Sequence, residues 1–252
     1  MQGPAVPPPR GSVVLAHGLN TTPEVMADLA AVLGGQGYVC EPVALHPPRV
    51  TGRQSPDDVA AGWRQAFADA VARALTRDPH LPVSAVGYSL GGLVAVLHAA
   101  ASPTDLQGRL VLWAPPLALT RSAAAVRLLT PAHRSGVRLP SAAPSRARAR
   151  WATPLAEYAA LLGLVEEAAA LPRSVLERVA TLVLLEPGDP LVDHTGVTDW
   201  VRRRGLDRWV VEPISGRGPT SRPYRHLVVS KVALGEQAWA RATTSMLAHL
   251  EA

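Results

Sequence analysis

The feature that most constrains this chain is a serine between two glycines, at the point where an apolar strand meets an apolar helix. The stretch SAVGYSLGGL has the spacing G-x-S-x-G around Ser89. A buried-strand pattern at 83–87 precedes the serine, and the almost wholly apolar run 90–101 follows it. Side chains at Gly87 and Gly91 would collide with the neighbouring strand and helix at so sharp a turn. The pattern predicts that Ser89 protrudes from a strand-to-helix turn as a nucleophile, rather than filling a glycine-rich loop.

Short apolar strands alternate with helical patterns along most of the chain. This alternation predicts parallel β-α-β units, and therefore an α/β fold with a mostly parallel central sheet and helices on both faces. The clearest helix follows Ser55, because apolar residues then recur at every fourth position. An amphipathic helix at 237–250 closes the chain. Strands are expected at 13–16, 38–45, 83–87, 110–113, 181–185 and 209–211.

The alternation stops after Pro115 and Pro116 and resumes only at the strand beginning at Thr181. We therefore expect a single domain over residues 1–252, with residues 117–160 as an irregular cap or lid insert. Such an insert lies on the loop side of the sheet, over a site, rather than forming a domain of its own.

Composition limits the class of protein. The chain has 252 residues, of which 48% are hydrophobic, and it lacks an uninterrupted apolar run of the roughly 18 residues that a membrane span needs. The first ten residues are proline-rich and show no signal-peptide pattern, so we expect a cytoplasmic protein without stable membrane insertion. Cys40 is the only cysteine, which excludes an intramolecular disulfide and a thiolate metal cluster. We expect it to be a small buried residue.

The net charge of +5 comes almost entirely from arginine, since Lys231 is the only lysine. Nucleic-acid binding is not expected, because it needs clustered basic residues with aromatic side chains that stack on bases. One segment, 118–156, does concentrate arginine and contains no Asp or Glu. It is either a solvated face, the interpretation we favour, or a surface for transient contact with anionic substrates or phospholipids. Its arginines are Arg121, Arg127, Arg134, Arg138, Arg146, Arg148 and Arg150.

A nucleophilic serine needs an oxyanion hole for the charge that develops on the substrate carbonyl. The amide of Leu90, at the start of the helix after Ser89, is one candidate donor. The loop after the first strand reads HGLN, and the amide of Leu19 in this loop is the second candidate. His17 precedes the glycine of this loop, so we expect it to shape the loop rather than act as a base.

The acid and the base should follow the serine in that order along the chain. Asp189 comes directly after the strand that ends at Leu185, where a carboxylate can face the site. We prefer it to Asp193, which we expect to cap the next helix. His226 lies in a loop before the closing helix, where it can bridge Asp189 and Ser89. The other histidines lie on helices, beside prolines or away from this position.

These separated pieces, HGLN, GYSLGG, EPGDPLVD and the Arg-His pair before the last helix, occur in one order. Together they resemble the α/β-hydrolase superfamily, especially its small bacterial carboxylesterases and monoacylglycerol lipases of the serine aminopeptidase-like group. The resemblance implies Ser89, Asp189 and His226 as the catalytic triad and the amides of Leu19 and Leu90 as the oxyanion hole. It also implies that the antiparallel strands that open larger members are missing or reduced. Arg225 stands where the family commonly has glycine.

The expected function is cleavage of carboxylic esters, with small or medium acyl groups, through a covalent acyl-enzyme and without a cofactor or metal. A thioesterase or acyltransferase, a lipase for monoacylglycerol or lysophospholipid, and a peptidase share the same motifs. A non-catalytic binding protein on the same fold is a further alternative. The oligomeric state is not predicted. Five apolar residues are expected either to line an acyl pocket or to pack within the cap: Leu117, Leu119, Val126, Leu128 and Leu129.

Overall fold

A computed structural model describes residues 8–45, 54–141, 143–215 and 225–252, and within these ranges the strands form two sheets. Six strands form one sheet in the order β2-β1-β3-β4-β7-β8, and every neighbouring pair is parallel. β5 and β6 form a separate antiparallel pair. The predicted α/β class is therefore confirmed. The strands are β1 (Gly11–Ala16), β2 (Tyr38–Val43), β3 (Val83–Tyr88), β4 (Leu110–Trp113), β5 (Arg138–Pro140), β6 (Ala152–Pro154), β7 (Thr181–Leu185) and β8 (Trp209–Pro213).

The helices surround the six-stranded sheet. α2, α3 and α5 contact one another, whereas α1 contacts α9 at the end of the chain. In the described part of the chain no helix combines the length and apolar character that crossing a membrane requires. The helices are α1 (Ala27–Gly35), α2 (Pro56–Arg77), α3 (Leu90–Ala101), α4 (Arg121–Ala124), α5 (Leu155–Ala170), α6 (Arg173–Leu176), α7 (His194–Arg203), α8 (Lys231–Leu234) and α9 (Glu236–Glu251), with 3₁₀ turns at Pro23–Met26, Ala125–Leu128 and Thr130–Ser135.

The sheet order places a switch point between β1 and β3. The chain leaves β1 toward β2 on one side and then returns to form β3 on the other side of β1. Loops that follow the two strands therefore diverge at the carboxyl edge of the sheet, where α/β proteins form their ligand crevices. His17 follows β1 and Ser89 follows β3, so both residues lie at this edge of the sheet.

Local sequence signals explain why α2 begins and how it packs. The Ser55 hydroxyl accepts a hydrogen bond from the Asp58 amide at 3.1 Å, and the Asp58 carboxylate accepts one from the Ser55 amide at 3.2 Å. This capping box satisfies two backbone donors that a helix start leaves without partners, and Pro56 needs none. Along the helix, Trp63 and Phe67 are buried on the face that the four-residue spacing predicts.

The region between β4 and β7 contains more regular structure than its sequence predicts. Residues 117–160 include α4, two 3₁₀ turns, the β5–β6 pair and the first turns of α5. We did not predict α5, because its sequence is apolar on nearly every side and shows no single stripe. The structure gives the reason, since α5 contacts α2 and α3 as well as the 3₁₀ turns. The division of the chain into one domain and a cap at 117–160 stays a prediction.

The single cysteine is held inside the fold. Cys40 lies in β2, where it is partly buried, and its Sγ lies 3.9 Å from the Ala30 carbonyl oxygen. Burial disfavours the thiolate and raises the pKa of Cys40 from its ordinary value of 9.0 to about 11. Because the thiolate is the reactive form of cysteine, the native protein should resist alkylation.

We predict that iodoacetamide at pH 8 modifies Cys40 about 100-fold more slowly in the native protein than in protein unfolded by urea. The factor follows from the smaller thiolate fraction at a pKa of about 11 rather than 9.0. Intact-protein mass spectrometry over time gives both rates. Equal rates in the two states would show that the thiol is not protected by the fold.

Candidate active site

The turn between β3 and α3 holds Ser89 in a conformation that few residues adopt. Its backbone has φ 50° and ψ −118°, outside the favoured regions for a residue with a side chain. Three hydrogen bonds fix this geometry. The Ser89 amide donates to the Trp113 carbonyl at 2.9 Å, and the Ser89 carbonyl accepts from Gly92 at 3.0 Å and Leu93 at 3.2 Å. The surrounding strand and helix therefore maintain the strain at Ser89.

The two motif glycines are required by close backbone approach. A Cβ atom on Gly87 would lie 2.5 Å from the Gly92 Cα, at the start of α3. A Cβ atom on Gly91 would lie 2.2 Å from the Ala16 carbonyl oxygen, at the end of β1. Both distances are shorter than any normal van der Waals contact, and both obstacles are backbone. These are the collisions with helix and strand that the motif predicts.

The structure brings together the three side chains expected to form a triad. The Ser89 Oγ lies 3.0 Å from Nε2 of His226, and Nδ1 of His226 lies 2.7 Å from Oδ2 of Asp189. An ionised carboxylate accepts hydrogen bonds only, so the proton of neutral His226 belongs on Nδ1. Nε2 is then free to accept the proton of the serine hydroxyl. This arrangement of acid, base and hydroxyl is the one that activates a serine nucleophile.

The two aspartates after β7 have different roles in the structure. Asp189 is buried, and its second oxygen, Oδ1, accepts hydrogen bonds from the amides of Leu191 at 2.8 Å and Val192 at 3.1 Å. These bonds fix the carboxylate so that Oδ2 faces His226. Asp193 instead caps α7, since its Oδ1 accepts from the Gly196 amide at 3.0 Å. Of the two aspartates Asp189 is the one in contact with His226, and its role as the catalytic acid stays a prediction.

His17 anchors the loop that follows β1. Its ring is fully buried, and its Nε2 accepts a hydrogen bond from the Leu45 amide at 3.0 Å. Nδ1 therefore carries the proton and donates to the Gly18 carbonyl at 2.9 Å. Both ring nitrogens are engaged by backbone, which is the loop-shaping role expected for His17.

The candidate oxyanion donors belong to two different loops at the carboxyl edge of the sheet. Leu90 is the first residue of α3, and Leu19 lies in the loop that follows β1. Within the described residues, neither amide N–H donates a hydrogen bond to another protein group. Both are therefore available to a substrate oxygen, although their role as an oxyanion hole stays a prediction.

A cavity of about 410 Å³ opens beside Ser89 and His226. Among the described residues that line it there is no Asp, Glu, Lys or Arg, and most are apolar. The few polar groups include the side chains of Ser141, Thr153 and Tyr158. The cavity thus suits an uncharged, largely apolar group. Its large apolar lining residues are Leu19, Leu119, Val126, Leu139, Leu161, Leu162, Leu191, Val192 and Leu227.

The five apolar residues that we considered for an acyl pocket divide into three groups. Leu119 and Val126 line the cavity, as one of the two interpretations expected. Leu117 is buried in the main hydrophobic core. Leu128 and Leu129 face solvent, with exposures of 83% and 48%. Neither the acyl-pocket nor the cap-packing interpretation therefore accounts for these last two residues.

Two residues near the triad were not assigned a role from the sequence. The buried ring of Tyr88 stacks at a tilt against His226, with 5.3 Å between ring centroids. Burial and the nearby Asp189 carboxylate raise the pKa of Tyr88, so its phenol is neutral. The Arg225 side chain lies close to Gly188, since a Cβ atom added to Gly188 would be 2.1 Å from the Arg225 Nη1. Tyr88 occupies a variable position of G-x-S-x-G, so the motif gave no signal for it.

The described residues contain no cluster of side chains that could bind a metal ion. No group of three or more His, Cys, Asp or Glu side chains is arranged there so that it can hold a metal ion. The acid and base residues that do converge, Asp189 and His226, face each other and Ser89.

Comparison with known proteins identifies relatives at the level of family and fold. A family model described as serine aminopeptidase, S33, matches residues 7–203. A structure from a study of the metagenome-derived lipolytic enzymes LipS and LipT is 17% identical, with a TM-score of 0.73, and the match covers 97% of this chain and 95% of that one. No curated protein sequence matches significantly.

Two further structures show how widely the same fold is used. A soluble variant of monoglyceride lipase from Saccharomyces cerevisiae is 14% identical with a TM-score of 0.71, covering 98% of this chain and 87% of that one. A thioesterase domain from the curacin biosynthetic pathway is 16% identical with a TM-score of 0.58, covering 94% and 91%. At these identities the similarity establishes the fold, and it leaves the substrate to be argued from the site.

The glycine geometry predicts opposite effects for two glycine-to-alanine substitutions. Gly91→Ala forces a methyl group against the Ala16 carbonyl, so it should lower the free energy of unfolding by at least about 1–3 kcal/mol. Gly62→Ala, on the exposed side of α2 with no atom within 4 Å, should raise it by about 0.5–1 kcal/mol. Urea denaturation followed by circular dichroism measures both changes. A neutral Gly91→Ala would contradict the close approach of α3 to β1.

Proposed function

Because the chain belongs to the hydrolase family described as serine aminopeptidase, S33, we propose that it is a serine hydrolase that cleaves carboxylic esters with small or medium acyl groups. The observation that carries the proposal is the hydrogen-bonded series Ser89, His226 and Asp189, with distances of 3.0 Å and 2.7 Å, beside an apolar cavity. The reaction passes through a covalent acyl-enzyme.

Acylation begins when the Ser89 Oγ attacks the ester carbonyl carbon and His226 Nε2 accepts the hydroxyl proton. Asp189 holds Nδ1–H and stabilises the positive imidazolium that forms. The negative charge on the carbonyl oxygen is stabilised by the amides of Leu19 and Leu90. The C–O bond to the alcohol then breaks, and His226 gives its proton to the leaving oxygen. The acyl group remains on Ser89.

Deacylation repeats these steps with water as the nucleophile. Water takes the position of the departed alcohol, and His226 Nε2 accepts a proton as the water oxygen attacks the acyl carbon. Collapse of the second tetrahedral intermediate breaks the bond to Ser89, and His226 returns the proton to the serine oxygen. A carboxylic acid is released, and each step uses only side chains and amides of this chain.

The uncharged cavity favours esters over peptides with a free amino terminus. An aminopeptidase binds the terminal ammonium of its substrate, and an ammonium group in an apolar site needs a carboxylate partner. No described residue that lines the cavity carries a carboxylate. The same reasoning disfavours anionic substrates, since no arginine lines the cavity either. A neutral acyl ester meets neither difficulty.

The remaining alternatives are a thioesterase or acyltransferase and a lipase for monoacylglycerol or lysophospholipid. All of them use the same serine, histidine and aspartate, so they differ in the leaving group and in acyl length rather than in the triad. A non-catalytic binding protein on this fold is a further alternative, which would need no reactive serine.

We predict that a fluorophosphonate probe labels the wild-type protein and that Ser89→Ala abolishes labelling, because the probe reacts only with an activated serine. Ser12→Ala is the matched control. Ser12 is buried in β1, and within the described chain its hydroxyl has no hydrogen-bond partner. Labelled protein is quantified by in-gel fluorescence. Equal labelling of wild type and Ser89→Ala would rule out Ser89 as the nucleophile.

A second prediction concerns the substrate class. With p-nitrophenyl esters of graded length, kcat/KM should be highest for short and medium acyl chains, which stay within the apolar lining beside Ser89, and should fall once the chain is longer than the cavity. Matched thioesters and anilides of the same acyl groups complete the panel. Anilides should be the poorest substrates. Faster cleavage of amino-terminal amides than of esters would overturn the ester assignment.

As a second property, we propose that the arginine-rich segment makes transient contact with an anionic lipid surface. Leu128 and Trp151 lie in this segment and are exposed by 83% and 69%. Arg134 and Arg138 are exposed in the same segment. Exposed apolar side chains together with basic ones bind membrane interfaces, since the apolar groups insert while the charges attract anionic headgroups.

We predict that the protein co-floats with vesicles that contain phosphatidylserine, and that higher salt weakens this binding. The double variant Leu128→Ser/Trp151→Ser should lower the partition coefficient at least about tenfold, because it removes the inserted apolar groups. Val232→Ser is the control, since Val232 is 57% exposed but lies in α8, outside the segment. Equal partitioning of the double variant and wild type would favour the solvated-face interpretation.

A further inference from the structure

Hydrogen bonds join the loop that carries Leu19 to the backbone of the arginine-rich segment. The Asn20 side chain donates from Nδ2 to the Arg150 carbonyl at 2.8 Å, and its Oδ1 accepts from the Arg150 amide at 3.1 Å. The Asn20 carbonyl accepts a further bond from the Ala149 amide at 2.9 Å. Asn20 therefore pairs with two consecutive residues, Ala149 and Arg150, of which the second lies 130 positions away along the chain.

Arg150 connects this junction to the core of the fold. Its Nη2 donates to both oxygens of Glu157, at 2.7 Å and 2.6 Å, and its Nε lies 3.4 Å from Oδ1 of Asn20. Glu157 is only 4% exposed and lies in the first turn of α5, which packs against α2 and α3. A buried, hydrogen-bonded carboxylate of this kind has a fixed position. The contact series runs from the core through Glu157 and Arg150 to Asn20.

The loop after β1 is consequently fixed at both ends. His17 is held at one end by the Leu45 amide, and Asn20 is held at the other by Arg150. Asn20 has φ 52°, a left-handed conformation that asparagine tolerates better than most residues. The direction of the Leu19 amide depends on the backbone between these two anchors. Arg150 itself is not among the described residues that line the cavity.

We propose that Asn20, Arg150 and Glu157 are positioning residues that hold the Leu19 amide in its place for the oxyanion. The inference rests on the proposed function, since it assigns the Leu19 amide as an oxyanion donor. The Arg150 backbone holds the Asn20 side chain, and the Arg150 guanidinium, paired with Glu157, holds that backbone in place. One arginine of the basic segment therefore serves the reaction through its side chain, whereas Arg148 pairs with Thr21 of the same loop through its backbone.

The proposal predicts an effect on the reaction rather than on substrate binding. A donor in the oxyanion hole acts mainly on the charge of the transition state, so its displacement lowers kcat with little change in KM. Loss of one donor typically costs a factor of about 10²–10³, and a misplacement of about 1 Å can cost about 10²-fold. Releasing the Asn20 anchor should therefore lower kcat by about 10- to 100-fold.

The test compares Arg150→Met with Arg148→Met on a neutral short-chain ester. Both substitutions remove one positive charge from the same segment, but only Arg150 pairs with Glu157 and Asn20 through its side chain. Arg150→Met should lower kcat about 10- to 100-fold with KM changed less than about threefold, whereas Arg148→Met should keep the wild-type values. Thermal melting by circular dichroism shows whether each variant is folded.

A second variant covers the case in which Arg150→Met leaves Glu157 unpaired and unfolds the protein. Asn20→Gly keeps a backbone that accepts φ 52° and the carbonyl bonded to Ala149, and it removes the side chain that contacts Arg150. Because Asn20 also lines the cavity, KM is measured beside kcat. It should show the same fall in kcat. Inhibition by a trifluoromethyl ketone, whose adduct with serine carries an oxyanion, should weaken in proportion to kcat/KM across the variants.

The outcomes separate this inference from the proposed function. If ester hydrolysis depends on Ser89 but folded Asn20→Gly and Arg150→Met match Arg148→Met in kcat, the positioning role is wrong and the proposed function stands. A fall in stability with unchanged kcat and unchanged ketone inhibition has the same meaning. If Ser89→Ala retains hydrolysis, the proposed function itself fails.

Discussion

The close approach of the β3–α3 turn to the end of β1 is the constraint on which the rest of the site depends. A Cβ atom on Gly91 would lie 2.2 Å from the Ala16 carbonyl, so the helix can reach the strand only with glycine at this position. The approach places Ser89 beside the loop that begins at His17, at the switch point of the sheet. The strained backbone of Ser89 is then held by bonds to Trp113, Gly92 and Leu93.

Apart from Asp189, which lies behind His226, the charged side chains of the described residues lie away from Ser89. The basic residues that give the chain its positive net charge lie outside the described lining of the cavity, which holds no Asp, Glu, Lys or Arg. Arg150 is paired with buried Glu157 of α5. Arg127 forms an ion pair with Glu166, which also lies in α5. The net charge of the chain is consequently a poor guide to its substrate. It is more informative about the surface that surrounds the site.

The sequence was sufficient to predict an element where a local pattern is compatible with only one structure. The helix that begins after Ser55, the strand before Ser89 and the cap formed by Asp193 all lie where their patterns place them. Prediction failed for α5, because a helix with apolar residues on nearly every side has no periodicity that distinguishes it from a buried strand or loop. Likewise, no motif links Asn20 to Arg150 across 130 positions, since that contact exists only after β1 and α5 are packed.

The sequence by itself determined where the six parallel strands lie along the chain, the sharp turn at Ser89 and the identity of the residues proposed as nucleophile, acid and base. These follow from local sterics and from the polarity of single strands and helices. Only the tertiary structure decided which apolar residues enclose the cavity and which face solvent, as the contrast of Leu119 with Leu128 shows. The same holds for Arg150 among its neighbouring arginines. The burial of a side chain and its hydrogen-bond partners depend on how distant segments pack together, and a local sequence pattern does not contain that information.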